Sequence, residues 1–217
     1  MMSRITLKEL ERKAFRSTYQ DGLWDLYFGL IVICMSIFLY RPETGYSPMN
    51  IVLMLVSMFG AYALFWAGKW FITLPRMGQV KFGAKRARRK KTMFLVLGAV
   101  VLIQVVFLVV QIVAWRNPGF GDTLNTFLQE KDAMDLAVAT IGSLFVGPSM
   151  ILIAYFMDFP RGYFIAAMMA LAVFLMILLN QPIYSIIIGI LIAAPGAVLF
   201  VRFLQKYPLH GKGSDHE

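Results

Sequence analysis

The 217-residue sequence has one cysteine, two histidines and few charges. A single thiol excludes a disulfide within the chain and any CxxC redox or metal motif. His210 and His216 both fall in the last eight residues, so no imidazole lies within an apolar segment. No HExxH stretch is present, which excludes zinc proteolysis of that kind, and haem ligation by paired histidines and Ser-His hydrolysis fall with it. A GxxxxGK[ST] loop is also missing, so nucleotide binding by a P-loop is excluded. Only 15% of residues are charged, against about 25% in an average globular chain. The reading is of a protein without cofactor, metal or catalytic residues.

What the sequence does contain is apolar length. Hydrophobic residues make up 59% of the chain. A helix needs about 20 mostly apolar residues to cross a hydrocarbon core about 30 Å thick, at about 1.5 Å rise per residue. Six segments meet this: 23–40, 51–71, 93–115, 134–157, 163–179 and 183–203. Asp25, Lys69, Asp135 and Arg202 are their only charges, each within about a turn of an end. Continuous apolar runs without period-2 alternation indicate helices rather than barrel strands. The fold class expected is an all-α membrane protein, a six-helix transmembrane bundle over 23–203. A basic cytoplasmic loop spans 72–92 and a tail 204–217.

Lysine and arginine counts orient the bundle. One side carries 18 of the 21 bases; Arg41, Arg116 and Lys131 alone fall on the other. The positive-inside rule then places both termini in the cytoplasm and the protein in the cytoplasmic (inner) membrane. Five bases and two acids in the first twenty residues, with no apolar core region, do not read as a cleaved signal peptide. Trp24, Trp66 and Trp70 fit the inner interface as anchors, and Tyr40 and Trp115 the outer one.

The inner face carries most of the remaining information. Residues 4–19, within a cytoplasmic segment 1–22, read as an amphipathic interfacial helix. Thr6 and Glu9 form a capping box, Leu7, Leu10, Ala14 and Phe15 an apolar stripe, and Arg12, Lys13 and Arg16 part of the basic face. The run 81–91 holds seven bases, Lys81, Lys85, Arg86, Arg88, Arg89, Lys90 and Lys91. Beside a membrane, each is worth about 1 kcal/mol of attraction to anionic lipid. Charge alone also attracts nucleic acid, but no aromatics interleave within 84–91, and specific nucleic-acid binding is not expected.

Asp21 and Asp25, in Asp21-Gly-Leu-Trp-Asp-Leu-Tyr-Phe-Gly29, share one helix face if the helix begins by Asp21. They either pair with Arg16 or the basic loop, or form a cation or headgroup site at the inner mouth. Asp132 and Asp135 start the fourth span in the same way, which suggests a three-plus-three inverted repeat. Gln104 and Gln111 lie seven apart on one face, as hydrogen-bonding contacts between helices or as the lining of a polar path. Gly147-Pro148 and Ala194-Pro195-Gly196 are expected breaks in the fourth and sixth spans, features that mark transporter sites when helices are discontinuous. The small pairs Ala63/Ala67, Ala166/Ala170 and Gly189/Ala193 are expected helix contacts.

The Asp21–Gly29 stretch, then Thr73-Leu-Pro-Arg-Met-Gly-Gln-Val-Lys-Phe82 and Arg202-Phe-Leu-Gln-Lys-Tyr-Pro208, together resemble a group of uncharacterised prokaryotic multi-pass membrane proteins. The resemblance covers some thirty residues at helix boundaries and implies no activity. Within the second stretch, Pro75 is expected to stop the second helix, Arg76 to reach headgroups and Gly78 to permit a tight turn.

Three functions are compatible with these features. The first is a non-catalytic membrane subunit or scaffold whose basic face binds anionic lipid, a second copy or a complex partner. The second is a small transporter or channel passing near the two proline breaks. The third is a lipid-modifying enzyme using Asp25, Asp158 and Arg161. The Asp21-Gly22 start lacks the Ala-Arg and later aspartates of a CDP-alcohol phosphotransferase motif, and no two aspartates lie mid-span as an intramembrane aspartyl protease requires.

Overall fold

A computed structural model describes residues 19–37, 48–77, 84–116 and 131–208. The N-terminal amphipathic segment, with Arg12, Lys13 and Arg16, lies outside these residues, as do Lys81 and the loop around Gly78. The chain is all-helical among the described residues, with elements α1 (Leu23–Met35), α2 (Pro48–Ala67), a π-helical turn (Gly68–Thr73), α3 (Leu74–Met77), α4 (Ala84–Arg116), α5 (Lys131–Phe156), α6 (Arg161–Leu179) and α7 (Ile183–Lys206).

Each expected apolar window coincides with a helix among the described residues, the first of them only over Leu23–Met35. Four stretches are both long and apolar enough to cross a membrane, Met49–Arg76, Leu136–Phe156, Arg161–Leu179 and Ile183–Lys206. α1 is apolar but shorter as described, and α4 joins a charged beginning to an apolar remainder. Large apolar side chains point outward along these helices: Phe59 is 70% exposed, Leu64 68% and Leu95 70%. Water would not tolerate apolar faces of this extent on a monomer, whereas lipid matches them.

Three boundaries differ from expectation. The second helix does not stop at Pro75; it continues through the π turn to Met77. A proline inside a helix lacks an N–H and crowds the carbonyl four residues earlier. The π turn immediately before Pro75 widens the helix where that crowding would occur, with the Leu74 N–H bonded five residues back to the Lys69 carbonyl. Nor are the fourth and sixth spans broken: α5 runs unbroken through Pro148 and α7 through Pro195. In both helices the proline ring is exposed while the adjacent glycine, Gly147 or Gly196, is buried against a neighbouring helix. Membrane helices accommodate such prolines by small local adjustments.

The helices form two compact units. One contains α1, α2 through α3, and α7 from Ile186 onward; the other contains α4, α5 and α6. The division groups the first, second and sixth helices, and so does not follow the three-plus-three order expected from the aspartate pairs.

In the first unit, glycines spaced seven apart on α1's chain segment and on α7 set an antiparallel contact. Gly22 lies against Gly196 and Gly29 against Gly189. A Cβ at Gly29 would stand 2.6 Å from the Gly189 carbonyl oxygen, and one at Gly196 2.7 Å from Asp25 Cβ. Only hydrogen fits at these points, so the backbones approach closely. Val32 on α1 and Ile188 and Ile192 on α7 are buried. In the second unit α5 and α6 make a hairpin in which Gly147 meets Ala170 and Gly162 meets Ala154. The expected contacts at Ala166/Ala170 and Gly189/Ala193 are therefore present, while Ala63 and Ala67 are exposed.

Candidate functional site

The densest polar arrangement sits where α1 begins and α2 ends. Asp21 is 0% exposed although it precedes the helix; Gly22 follows it with φ 76° and α1 starts at Leu23. Asp21 therefore does not share a helix face with Asp25, as a helix beginning at Asp21 would require. Its Oδ1 instead accepts from the Leu23 N–H at 3.3 Å, satisfying a donor that the first turn leaves open. Its Oδ2 accepts from Lys69 Nζ at 2.6 Å and from the Thr73 hydroxyl at 2.8 Å. Lys69 and Thr73 are both on the π turn. π turns inside α-helices are rare and concentrate at functional positions.

The same segment holds a second tie. Arg76 Nη1 donates to the Leu204 carbonyl at 3.1 Å and to the Tyr207 carbonyl at 3.0 Å. These carbonyls belong to the end of α7, where helix geometry leaves acceptors open and the macrodipole favours a cation. Arg76 was expected at lipid headgroups; in the structure its Nη1 bonds to α7. Asp25, 3% exposed, packs its Cβ toward Gly196. Beside them Trp24, Tyr27, Phe28 and Phe65 stack at centroid distances from 4.6 to 5.6 Å, with Lys69 Nζ 5.9 Å from the Phe65 centroid. These rings fill one another's faces and make a packed wall. Trp24 thus belongs to an internal cluster as much as to an interface.

The second unit has a smaller counterpart. α5 ends in a Schellman arrangement: the Phe159 N–H bonds to the Ala154 carbonyl at 2.9 Å and the Asp158 N–H to that of Tyr155 at 3.3 Å, with Asp158 left-handed at φ 51°. Arg89, near the start of α4, reaches this turn. Its Nη1 donates to Asp158 Oδ2 at 2.8 Å, its Nη2 to the Tyr155 carbonyl at 2.8 Å, and the guanidinium lies 5.5 Å from the Tyr155 ring centre.

The other expected site residues divide as follows. Arg88, Lys90 and Lys91 are exposed on α4, and Lys90 Nζ lies 6.0 Å from the Phe94 ring. Lys85, Arg86 and Gln111 are on α4, but their side chains lie outside the described residues, as do those of Asp132 and Asp135. Gln104 is half-buried on α4 in the second unit; Pro148 is in that unit too, Pro195 and Gly196 in the first. Asp25 belongs to the first unit, Asp158 and Arg161 to the second. Sequence reasoning missed Lys69 and Thr73 as partners of Asp21. The available signal was Lys69 itself, the one lysine inside an apolar window, since ionisable groups in membrane segments pair with one another.

Chemically, the Asp21 cluster is a buried ion pair with its acceptors occupied, suited to holding helix ends rather than to proton or group transfer. Among the described residues no group of three or more His, Cys, Asp or Glu could hold a metal ion. Compared with known proteins, the chain matches no family model, no curated protein and no solved structure.

Proposed function

We propose that the chain is an integral protein of the cytoplasmic membrane, crossing it six times with both termini in the cytoplasm. In this reading it is a non-catalytic subunit or scaffold whose basic inner face holds anionic lipid headgroups. The observation that carries the proposal is the continuity of α4. Arg88, Lys90 and Lys91 are exposed on the same unbroken helix whose next turns expose Phe94 and Leu95. The charged beginning, 84–91, is about 12 Å long and the apolar part, 93–115, about 34 Å, at about 1.5 Å per residue. A length of 34 Å matches a hydrocarbon core of about 30 Å, which supports a reading with the cations at headgroup depth on one side.

The two ties support the alternation of spans on which the topology rests. Asp21, Lys69, Arg76 and the end of α7 meet at one end of the first unit. Arg89 and the α5–α6 turn meet in the second. In each case the joined segments are ones the base count assigns to the same side. Gathered exposed cations at headgroup depth attract anionic lipid by about 1 kcal/mol each, so Arg88, Lys90 and Lys91 together correspond to roughly a hundredfold preference.

The test is lipid retention. The intact protein is incorporated in nanodiscs of mixed zwitterionic and phosphatidylglycerol lipid, extracted, and its bound lipid measured by native mass spectrometry. Replacing Arg88→Glu, Lys90→Glu and Lys91→Glu together should remove most of the enrichment in anionic lipid. Unchanged enrichment in a folded triple variant would rule the proposal out.

A further inference from the structure

The segment 68–77 makes two ties in opposite directions, and the π turn lies between them. At its start Lys69, with Thr73, is bound to Asp21 ahead of α1; at its end Arg76 is bound to the last carbonyls of α7. An α-helix rotates about 100° per residue. A π turn holds one residue more than an α turn, so it shifts everything after it by one residue, or about 100°. An α-helical path through the same sequence, with Lys69 kept on Asp21, would carry Arg76 about a quarter turn away from α7. The inserted residue reconciles the two ties.

We propose that Gly68–Thr73 is a register element with two settings. In the π setting, held by the Asp21–Lys69 pair, Arg76 latches the end of α7; in the α setting the pair is released and the latch opens. Lys69 is the trigger because its side chain is 17% exposed while Asp21 is 0% exposed, so the lysine is the partner that an outside group can reach. The inference rests on the first unit alone and is independent of lipid binding by α4.

A deletion distinguishes this device from ordinary packing. Removing Phe71, a 74% exposed side chain in the π turn, takes out the extra residue and leaves Lys69 and Arg76 in register on an α-helical path. The experiment is amide hydrogen exchange of the full chain in nanodiscs, read at residues 203–207. Lys69→Met should speed exchange there by about tenfold or more, since hydrogen bonds from a charged donor are lost. Deleting Phe71 alone should leave that exchange within about twofold of the parent. Deleting Phe71 in the Lys69→Met chain should return it to the slow rate, because the latch no longer needs the ion pair to hold its register.

Unchanged exchange at 203–207 in Lys69→Met overturns the proposal, and so does failure of the deletion to restore slow exchange. If Lys69→Met does not fold, the Phe71 deletion alone decides. A chain that folds with the end of α7 still protected supports the register element, and one with that end opened refutes it.

Discussion

Both units use an arginine to close the C-terminal end of a helix, and the two arginines are set in opposite surroundings. Arg76 caps α7 beside a fully buried carboxylate, a lysine and a π turn. Arg89 caps α5 at a turn where its own side chain is 37% exposed. Burial changes what such a tie is worth. A charge pair shielded from water is strongly destabilised when one partner is removed, because the other is left without compensation. A pair in contact with water loses little, because the solvent replaces the partner. The first unit is therefore fastened by electrostatics that a single substitution can break, and the second by a turn whose backbone bonds would survive the same change.

The largest effect should come from Lys69→Met. Asp21 would keep the Thr73 hydroxyl and the Leu23 amide but lose its counter-charge. A cost of about 3 kcal/mol is expected from the behaviour of broken buried pairs. Chemical or thermal unfolding of the purified protein in a fixed detergent measures it. Asp21→Asn combined with Lys69→Met should recover a good part of the loss, because the uncompensated charge is gone. A double variant no more stable than Lys69→Met would show that the pair is not what holds α1 to the π turn.

Next in size are the glycines of the antiparallel contact. Gly29→Ala places a methyl 2.6 Å from the Gly189 carbonyl oxygen and 2.7 Å from Ala193 Cβ. Neither a backbone oxygen nor a helix-borne methyl gives way cheaply, so α1 and α7 must separate, at about 2 kcal/mol. Gly60→Ala in α2 is the matched control, with nothing within 4 Å of the new Cβ. Alanine is the better helix former, so that variant should be neutral or slightly stabilising. Equal destabilisation by both would mean that the close approach of α1 and α7 contributes nothing specific.

Smaller still is Arg89→Gln, expected to cost about 1 kcal/mol or less given the exposure of the pair and the Schellman bonds that remain. Its contrast with Lys69→Met is the direct comparison of the two units. The gap should widen at high salt, which screens Arg89 more than the buried pair.

The helical class and the four long apolar helices were legible because hydropathy over twenty residues is a summed signal. A π turn is not such a signal. Gly-Lys-Trp-Phe-Ile-Thr carries no local mark of an extra residue, and Pro75 read as a stop because its usual cost to a helix is real. What allows the helix to continue is the widened turn before it, itself matched to ties with Asp21 and α7 that lie 48 and 128 residues away in sequence. Asp21 and Asp25 were identified as the unusual acids. The partners expected for them were Arg16 and the basic loop, whereas Asp21 pairs with the single lysine inside an apolar span. The prolines misled in the reverse direction: Pro148 and Pro195 drew notice, while the glycines beside them do the packing.

The smallest effect, and the one that separates backbone from charge, is Asp158→Gly. Asp158 occupies the left-handed position of the α5 Schellman turn, which favours glycine by about 1 kcal/mol over residues with a Cβ. The same side chain accepts from Arg89, a contact worth about as much. Asp158→Gly alone should therefore change stability by less than about 0.5 kcal/mol, a small difference between two opposed terms. With Arg89→Gln already present, the Arg89 contribution is gone, so Asp158→Gly should then be more favourable than in the parent chain by about 1 kcal/mol. The four-corner cycle of unfolding energies reads this directly. If Asp158→Gly stabilises equally in both backgrounds, Arg89 and Asp158 are uncoupled and the α5–α6 turn stands on its backbone alone.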